Sequence, residues 1–126
     1  MGIEDIPVTS FPVYVNGHYV GVYLLANLFN KFGNGDGDDY LYLACHWYII
    51  DRLREEGFEV RTANTIHNPA IVEIWKDGKK IWESNEFYWY ESDFTDSDMV
   101  KMWEGLPEGV RRVLRKIADE GIRLSF

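Results

Sequence analysis

The dipeptide Asp77-Gly78, set between AIVEIWK and KKIWESN, restricts this chain more than any other feature. A two-residue loop of that composition favours a type I′ turn, whose twist matches two antiparallel strands. Pairing through the turn sets Lys76 opposite Lys79, Ile74 opposite Ile81, Val72 opposite Glu83 and Ala70 opposite Asn85. Side chains alternate faces along a strand, so Ala70, Val72, Ile74, Ile81, Glu83 and Asn85 share one face. The aliphatic pairs predict that this face is buried and that Glu83 points into it. An ionised carboxylate there needs a cation, a metal or several hydrogen-bond donors.

FPVYV-Asn16-Gly17-HYVGV carries the same turn signal. Its pairing puts Phe11, Val13, Val15, Val20 and Val22 on one face, with Tyr14 and Tyr19 on the other. From Tyr23 the period changes: Leu25, Leu28, Phe29 and Phe32 are spaced as in a helix, and Gly33 suits its end. Asp38 or Asp39 caps a helix running to about Glu56, with Gly57 after it. Its first half, Tyr40 to Ile50, is apolar around most of its circumference and is expected to be the central buried helix. Phe58 to Thr62 alternates as a strand, and Phe87 to Tyr90 extends the second strand of the later hairpin. Thr95 with Asp98 resembles a capping box that opens a short helix through Met99, Met102 and Trp103. Pro107 opens another, with Val110, Val113, Leu114 and Ile117 as its stripe and Gly121 as its stop. Ile122, Leu124 and Phe126 alternate as a last strand, free to finish its own sheet or to pair with a second chain. The order β-β-α-α-β-β-β-α-α-β predicts an α+β fold, a mainly antiparallel sheet with helices packed on it. We expect one domain over 1–126, with a hairpin plus helix at 1–33 and the main unit at 38–126.

Of 126 residues, 46% are apolar, enough for a sizeable core. No apolar run approaches the about 20 residues that span a bilayer. The start, MGIEDIPVTSF, lacks the basic-then-apolar order of a signal peptide. A single cysteine, Cys45, can form neither a disulfide within the chain nor a zinc site alone, which points to a cytoplasmic protein. The net charge of −8 argues against direct, non-specific nucleic-acid binding. It is concentrated: Glu83 to Asp98 contains Glu83, Glu86, Glu91, Asp93, Asp96 and Asp98 and no Lys or Arg. Arg111, Arg112, Arg115 and Lys116 form one basic helical stripe, expected to be solvated and paired with Glu108 and Asp119.

From Tyr40 onward, REEGFEV at a helix end and NPAIVEIWKDGKKIWESN over a hairpin resemble the core of the PD-(D/E)XK nuclease superfamily. In that family an Asp and a Glu bind a divalent metal that activates water, and a Lys stabilises charge on the phosphate. The resemblance places Glu83 at the family's Glu, Ala70 at its Asp and Asn85 at its Lys. It therefore implies a nuclease-like fold over residues 40–126 that keeps one of three catalytic side chains. A nuclease would have to use Glu83 with carboxylates from elsewhere, such as Glu73 or Glu86; a second acid and a lysine converging on Glu83 would reopen that chemistry.

Asn34, Asp36 and Asp38 have the spacing of the first calcium ligands in a helix–loop–helix site, but Cys45 stands where the bidentate Glu belongs. A flexible turn followed by an Asp cap explains the same residues. Cys45 and His46 are adjacent on a helix and point about 100° apart, which suits two core residues better than a nucleophile and its base. No cofactor is called for. Trp82, Phe87, Tyr88, Trp89 and Tyr90 make an aromatic strand region beside Glu91, Asp93, Asp96 and Asp98. Its rings are either core or an exposed binding surface, since the pattern does not say which face is covered. Our expectation is a non-catalytic binding protein, a small acidic inhibitor or adaptor of the kind mobile elements carry. Its acidic aromatic surface would meet a protein partner, basic or itself nucleic-acid-binding, and not a membrane. A homodimer is left open. The rivals are a metal-dependent nuclease and a small-ligand domain with a pocket of tyrosines and tryptophans between sheet and central helix.

Overall fold

Both tight turns form. Asn16 and Gly17 have φ of 49° and 87°, and Asp77 and Gly78 have φ of 53° and 78°, the positive values that a type I′ turn requires. The computed structural model describes residues 8–29, 40–63, 70–84 and 96–126. The elements follow the predicted order: β1 (Ser10–Val15), β2 (His18–Leu24), α1 (Leu25–Phe29), α2 (Tyr40–Glu55), β3 (Glu59–Thr62), β4 (Ile71–Lys76), β5 (Lys79–Glu83), α3 (Asp96–Gly105), α4 (Glu108–Glu120) and β6 (Ile122–Leu124). The expected roles of Phe32, Gly33, Asp38, Asp39, Thr95 and the Phe87–Tyr90 extension fall outside the described residues.

The fold is α+β, but the strands make two sheets where the sequence suggested one. Their orders are β2-β1-β6 and β3-β4-β5. All pairs are antiparallel except β1 with β6, which run parallel with Val13 opposite Ile122. The last strand thus completes the sheet that the first hairpin begins. Gly121 allows the sharp entry to β6: its φ is +85°, and a Cβ there would lie 2.6 Å from the Tyr14 ring.

Each hairpin carries one residue more than simple pairing allows, at the same distance past its turn. In the first, Tyr14 faces Tyr19 but Val13 faces Gly21, so Val20 is extra. In the second, Lys76 faces Lys79 as expected and Trp75 faces Lys80, but Ile74 faces Trp82, so Ile81 is extra. Such a β-bulge sets two residues against one and reverses which faces the following side chains occupy. Two expected faces are therefore corrected. Val20 and Val22 are exposed while Tyr23 is buried at 4%. Beyond the second turn, Trp82 is buried and Glu83, expected to point inward, is exposed with Glu73 opposite it. The driving force is plain: the bulges bury an aromatic ring in each hairpin and keep a carboxylate in water.

One apolar cluster draws on both sheets and on the helices, from Phe11 and Ile122 to Ile74, Trp82 and Leu114. α2 buries Cys45, His46, Ile49, Ile50 and Leu53 on one side, while Tyr40 and Trp47 are exposed, so it is less enclosed than its composition suggests. α3 buries Met99, Met102 and Trp103, and α4 buries Val110, Val113, Leu114 and Ile117, as their spacing predicts. Glu108 takes both Arg111 (3.1 Å) and Arg115 (2.8 Å), and Arg112 and Lys116 face solvent.

Candidate functional site

The strand β2 lies at one end of its sheet, and its outer side holds the largest run of exposed apolar side chains among the described residues. Tyr19 is 61% exposed, Val20 49%, Val22 57% and Leu24 44%. Soluble proteins usually blunt an edge strand with charge, proline or a cover. Here the edge carries neither Lys, Arg, Asp, Glu nor Pro between His18 and Leu24.

Beside this edge lies a cavity of about 240 Å³ whose other wall is the first half of α2. Residues Val20 to Leu24 all line it, together with Asn27, Tyr42 and Cys45 among others. Val13 of β1, Gly21 and Tyr23 line it from the core face and the outward-pointing Val20, Val22 and Leu24 from the other, so the cavity runs from under the sheet to the outer margin of β2. The backbone phase agrees. Leu25 donates its amide to the Thr9 carbonyl at 3.0 Å, and Phe11 stands opposite Tyr23. Bonded and non-bonded pairs alternate in an antiparallel ladder, so the amides of Tyr23 and Leu25 face β1 while those of Val22 and Leu24 face outward. Pro12, which has no amide hydrogen, stands opposite Val22, as that phase permits.

The floor of the cavity is fixed by a hydrogen bond between distant segments. Tyr23 Oη and His46 Nδ1 are 2.6 Å apart and buried. The Tyr23 ring also meets the His46 ring edge-on at 6.0 Å and the Tyr42 ring at 5.6 Å. Burial, then the neighbouring Tyr42 and Cys45, hold the Tyr23 phenol well above its ordinary value of 10.0. Burial raises Tyr42 as well. Cys45 and His46 are therefore core residues, as their spacing suggested, but His46 has the added task of anchoring β2 to α2. Sequence reasoning missed this pair: its members lie 23 residues apart, and Tyr23 read only as the switch from strand to helix.

Of the residues singled out by the sequence, Trp82 packs in the core, its ring 5.2 Å from Phe29, and is no part of an outer binding surface. Asp98 is half-buried at the start of α3. Phe87, Tyr88, Trp89, Tyr90, Glu91 and Asp93, and the calcium candidates Asn34, Asp36 and Asp38, lie outside the described residues, as does the Asp96 side chain.

Glu83 does have a charged neighbourhood, on the solvent side. Lys80 lies 2.9 Å from Glu83 and 3.7 Å from Glu73, and Arg61 lies 3.2 Å from Glu73. The second acid and the lysine that nuclease chemistry would want do converge. The bulge brings Glu73 to the same side as Glu83, contrary to the unbulged pairing. A hydrogen bond from the Trp75 indole, followed by Lys80 and Arg61, holds Glu73 below the ordinary carboxylate range, and Glu83 raises Lys80. Arg61 also lies 3.5 Å from Glu59, so three carboxylates share two cations. Ala70 is fully buried and Asn85 lies outside the described residues. No group of three or more His, Cys, Asp or Glu side chains that could hold a metal occurs among the described residues.

The cavity between sheet and central helix is where a ligand pocket was expected, with two tyrosines but no tryptophan among its described lining residues. No described helix is long and apolar enough to cross a membrane. Comparison with protein-family models, with curated proteins and with solved structures gives no match.

Proposed function

We propose that this protein works by binding another protein and that the edge of β2 is the contact surface. The observation that carries the reading is the run of exposed Tyr19, Val20, Val22 and Leu24 on an end strand. At 44–61% exposure, covering what remains in water is worth roughly 0.7–1.5 kcal/mol for each such side chain, so a partner that covers them gains affinity there. The net charge of −8 favours a basic partner and discourages promiscuous self-adhesion. The acidic stretch from Glu83 to Asp98 would then steer the partner's approach, and the apolar edge would hold it.

The test is a photo-crosslinking residue at position 20 in the native host, followed by reconstitution with the captured partner. Leu24→Lys and Val20→Lys should weaken that complex about tenfold with the thermal midpoint unchanged, each removing about 1 kcal/mol of apolar contact and adding a charge that repels a basic partner. A complex indifferent to both changes refutes the assignment of the surface.

The convergence of Glu73, Glu83 and Lys80 supports a second reading, a metal-dependent nuclease. Against it, Lys80 lies against both Glu73 and Glu83 and Arg61 against Glu73, and a divalent cation would have to displace them. Incubation with DNA and RNA in Mg²⁺ or Mn²⁺ decides the matter. Cleavage that Glu83→Gln abolishes would replace the binding reading with this one.

A further inference from the structure

We infer that the partner binds as an added β-strand: an extended, basic-flanked segment of another protein pairs with β2 and places one apolar side chain in the cavity between β2 and α2. The inference rests on the protein-binding reading above and specifies its mode and its partner's chemistry.

Three features converge on this geometry. The amides of Val22 and Leu24 face away from β1, so the strand offers donors and acceptors at the spacing a new strand requires. Gly21 sits between the bulge and Val22 with nothing within 4 Å of the place a Cβ would take, and its φ of +143° keeps larger residues out. A mid-strand glycine marks a bulge, as here, or close approach by another backbone, and the open space at Gly21 leaves room for the latter. The cavity of about 240 Å³ adjoins the same edge, is below the volume of ordinary drug-sized sites, and suits a single bulky side chain. Strand addition supplies affinity through the main chain and specificity through such a side-chain pocket.

The charge selects the occupant. None of the described residues lining the cavity is charged, so the inserted side chain is apolar. The whole chain carries −8, so Lys or Arg on either side of the segment is attracted. A second copy of this chain could offer its own β2, but would bring the same −8 to the contact. Self-pairing is therefore disfavoured relative to a cationic segment.

The experiment uses the full chain and a synthetic peptide with an alternating valine–threonine core and two lysines at each end. Two further peptides serve as controls: the same core flanked by glutamates, and the lysine-flanked peptide N-methylated at alternate residues. Backbone-amide NMR with hydrogen exchange follows the whole chain. The lysine peptide should slow exchange at Val22 and Leu24 specifically. N-methylation should weaken binding about tenfold, as the loss of two or so net hydrogen bonds implies, and glutamate flanks should weaken it further. Val22→Pro removes one outward donor and should abolish the protection. If that change disturbs the sheet, the N-methylated peptide carries the test alone, because it removes main-chain donors from the peptide and leaves the protein unchanged.

Equal binding of the N-methylated peptide, protection centred elsewhere, no binding of the lysine peptide, or Val22 protection that appears without peptide as the chain dimerises would each overturn the inference. The crosslinked partner separates this failure from failure of the broader reading. A partner complex weakened by Leu24→Lys and Val20→Lys but untouched by Val22→Pro leaves protein binding standing and removes strand addition.

Discussion

The buried phenol–imidazole pair is the most exacting residue-level feature of the molecule. Replacing Tyr23 with Phe leaves the ring packing intact but takes the partner from His46 Nδ1, which is 0% exposed. The expected loss is about 0.5–1.5 kcal/mol of unfolding free energy in urea, the net worth of one buried hydrogen bond. The pH dependence has a definite sign. The Tyr23 phenol is raised in the folded state, so the unfolded chain releases its proton near 10 while the folded chain retains it. That contribution is fully present below pH 10 and declines as pH climbs beyond it. Tyr23→Phe should flatten the alkaline fall in stability measured between roughly pH 9 and 11.5; an unchanged slope would mean the phenol is not protected as described. At the other hairpin the contrast is between neighbours. Glu83→Gln should leave the thermal midpoint nearly unchanged, since its pair with Lys80 is exposed to solvent. Trp82→Ala should cost about 3–5 kcal/mol. Equal effects from the two would restore the unbulged register.

At the scale of elements, the bulges decide which residues meet the core and which meet a partner. Deleting Ile81 would bring Glu83 back toward the buried face, and we expect a loss on the order of 3 kcal/mol or more. Ile81→Val, which keeps the count, should cost no more than about 1.5 kcal/mol. Thermal melts of both variants check this, and a deletion variant that melts with the parent would show that the extra residue is dispensable. The same devices explain what the sequence could reveal. The two turns, the helix stripes from Met99 to Ile117 and the order of elements were legible because each is written in residues a few positions apart. The facing of β2 and β5 was not, because a bulge depends on which competing burial wins over the whole core. Gly21 was a usable signal, since a mid-strand glycine often marks a bulge. Ile81-Trp82 carried none beyond the improbability of burying Glu83. The exposed β2 edge stayed hidden for the same reason: Val20 and Val22 read as sharing the face of Phe11 and Val13 until the register changed.

For the whole molecule, the N-terminal hairpin and the remainder are bound to each other. Phe11, Leu25, Leu28 and Phe29 are at most 1% exposed within the shared cluster, and β6 has its partner in β1. Each such side chain is worth roughly 1.5–3 kcal/mol, and domains of this size retain only about 5–15 kcal/mol in total. A chain comprising residues 40–126 alone should therefore show no cooperative thermal transition by circular dichroism. A sharp melt from that fragment would prove the second unit self-sufficient.

The parallel junction of β1 and β6 shapes the route to this state as well as the state itself. A hairpin can zip from its own turn early, but its third strand arrives only after the intervening segments have been gathered, a slow closure at long sequence separation. Until then β1 has a bare margin on one flank and β2 on the other. That interval is when misassembly with neighbouring chains is most dangerous. A variant that slows β6 docking should therefore lower refolding yield at high protein concentration well before it lowers equilibrium stability.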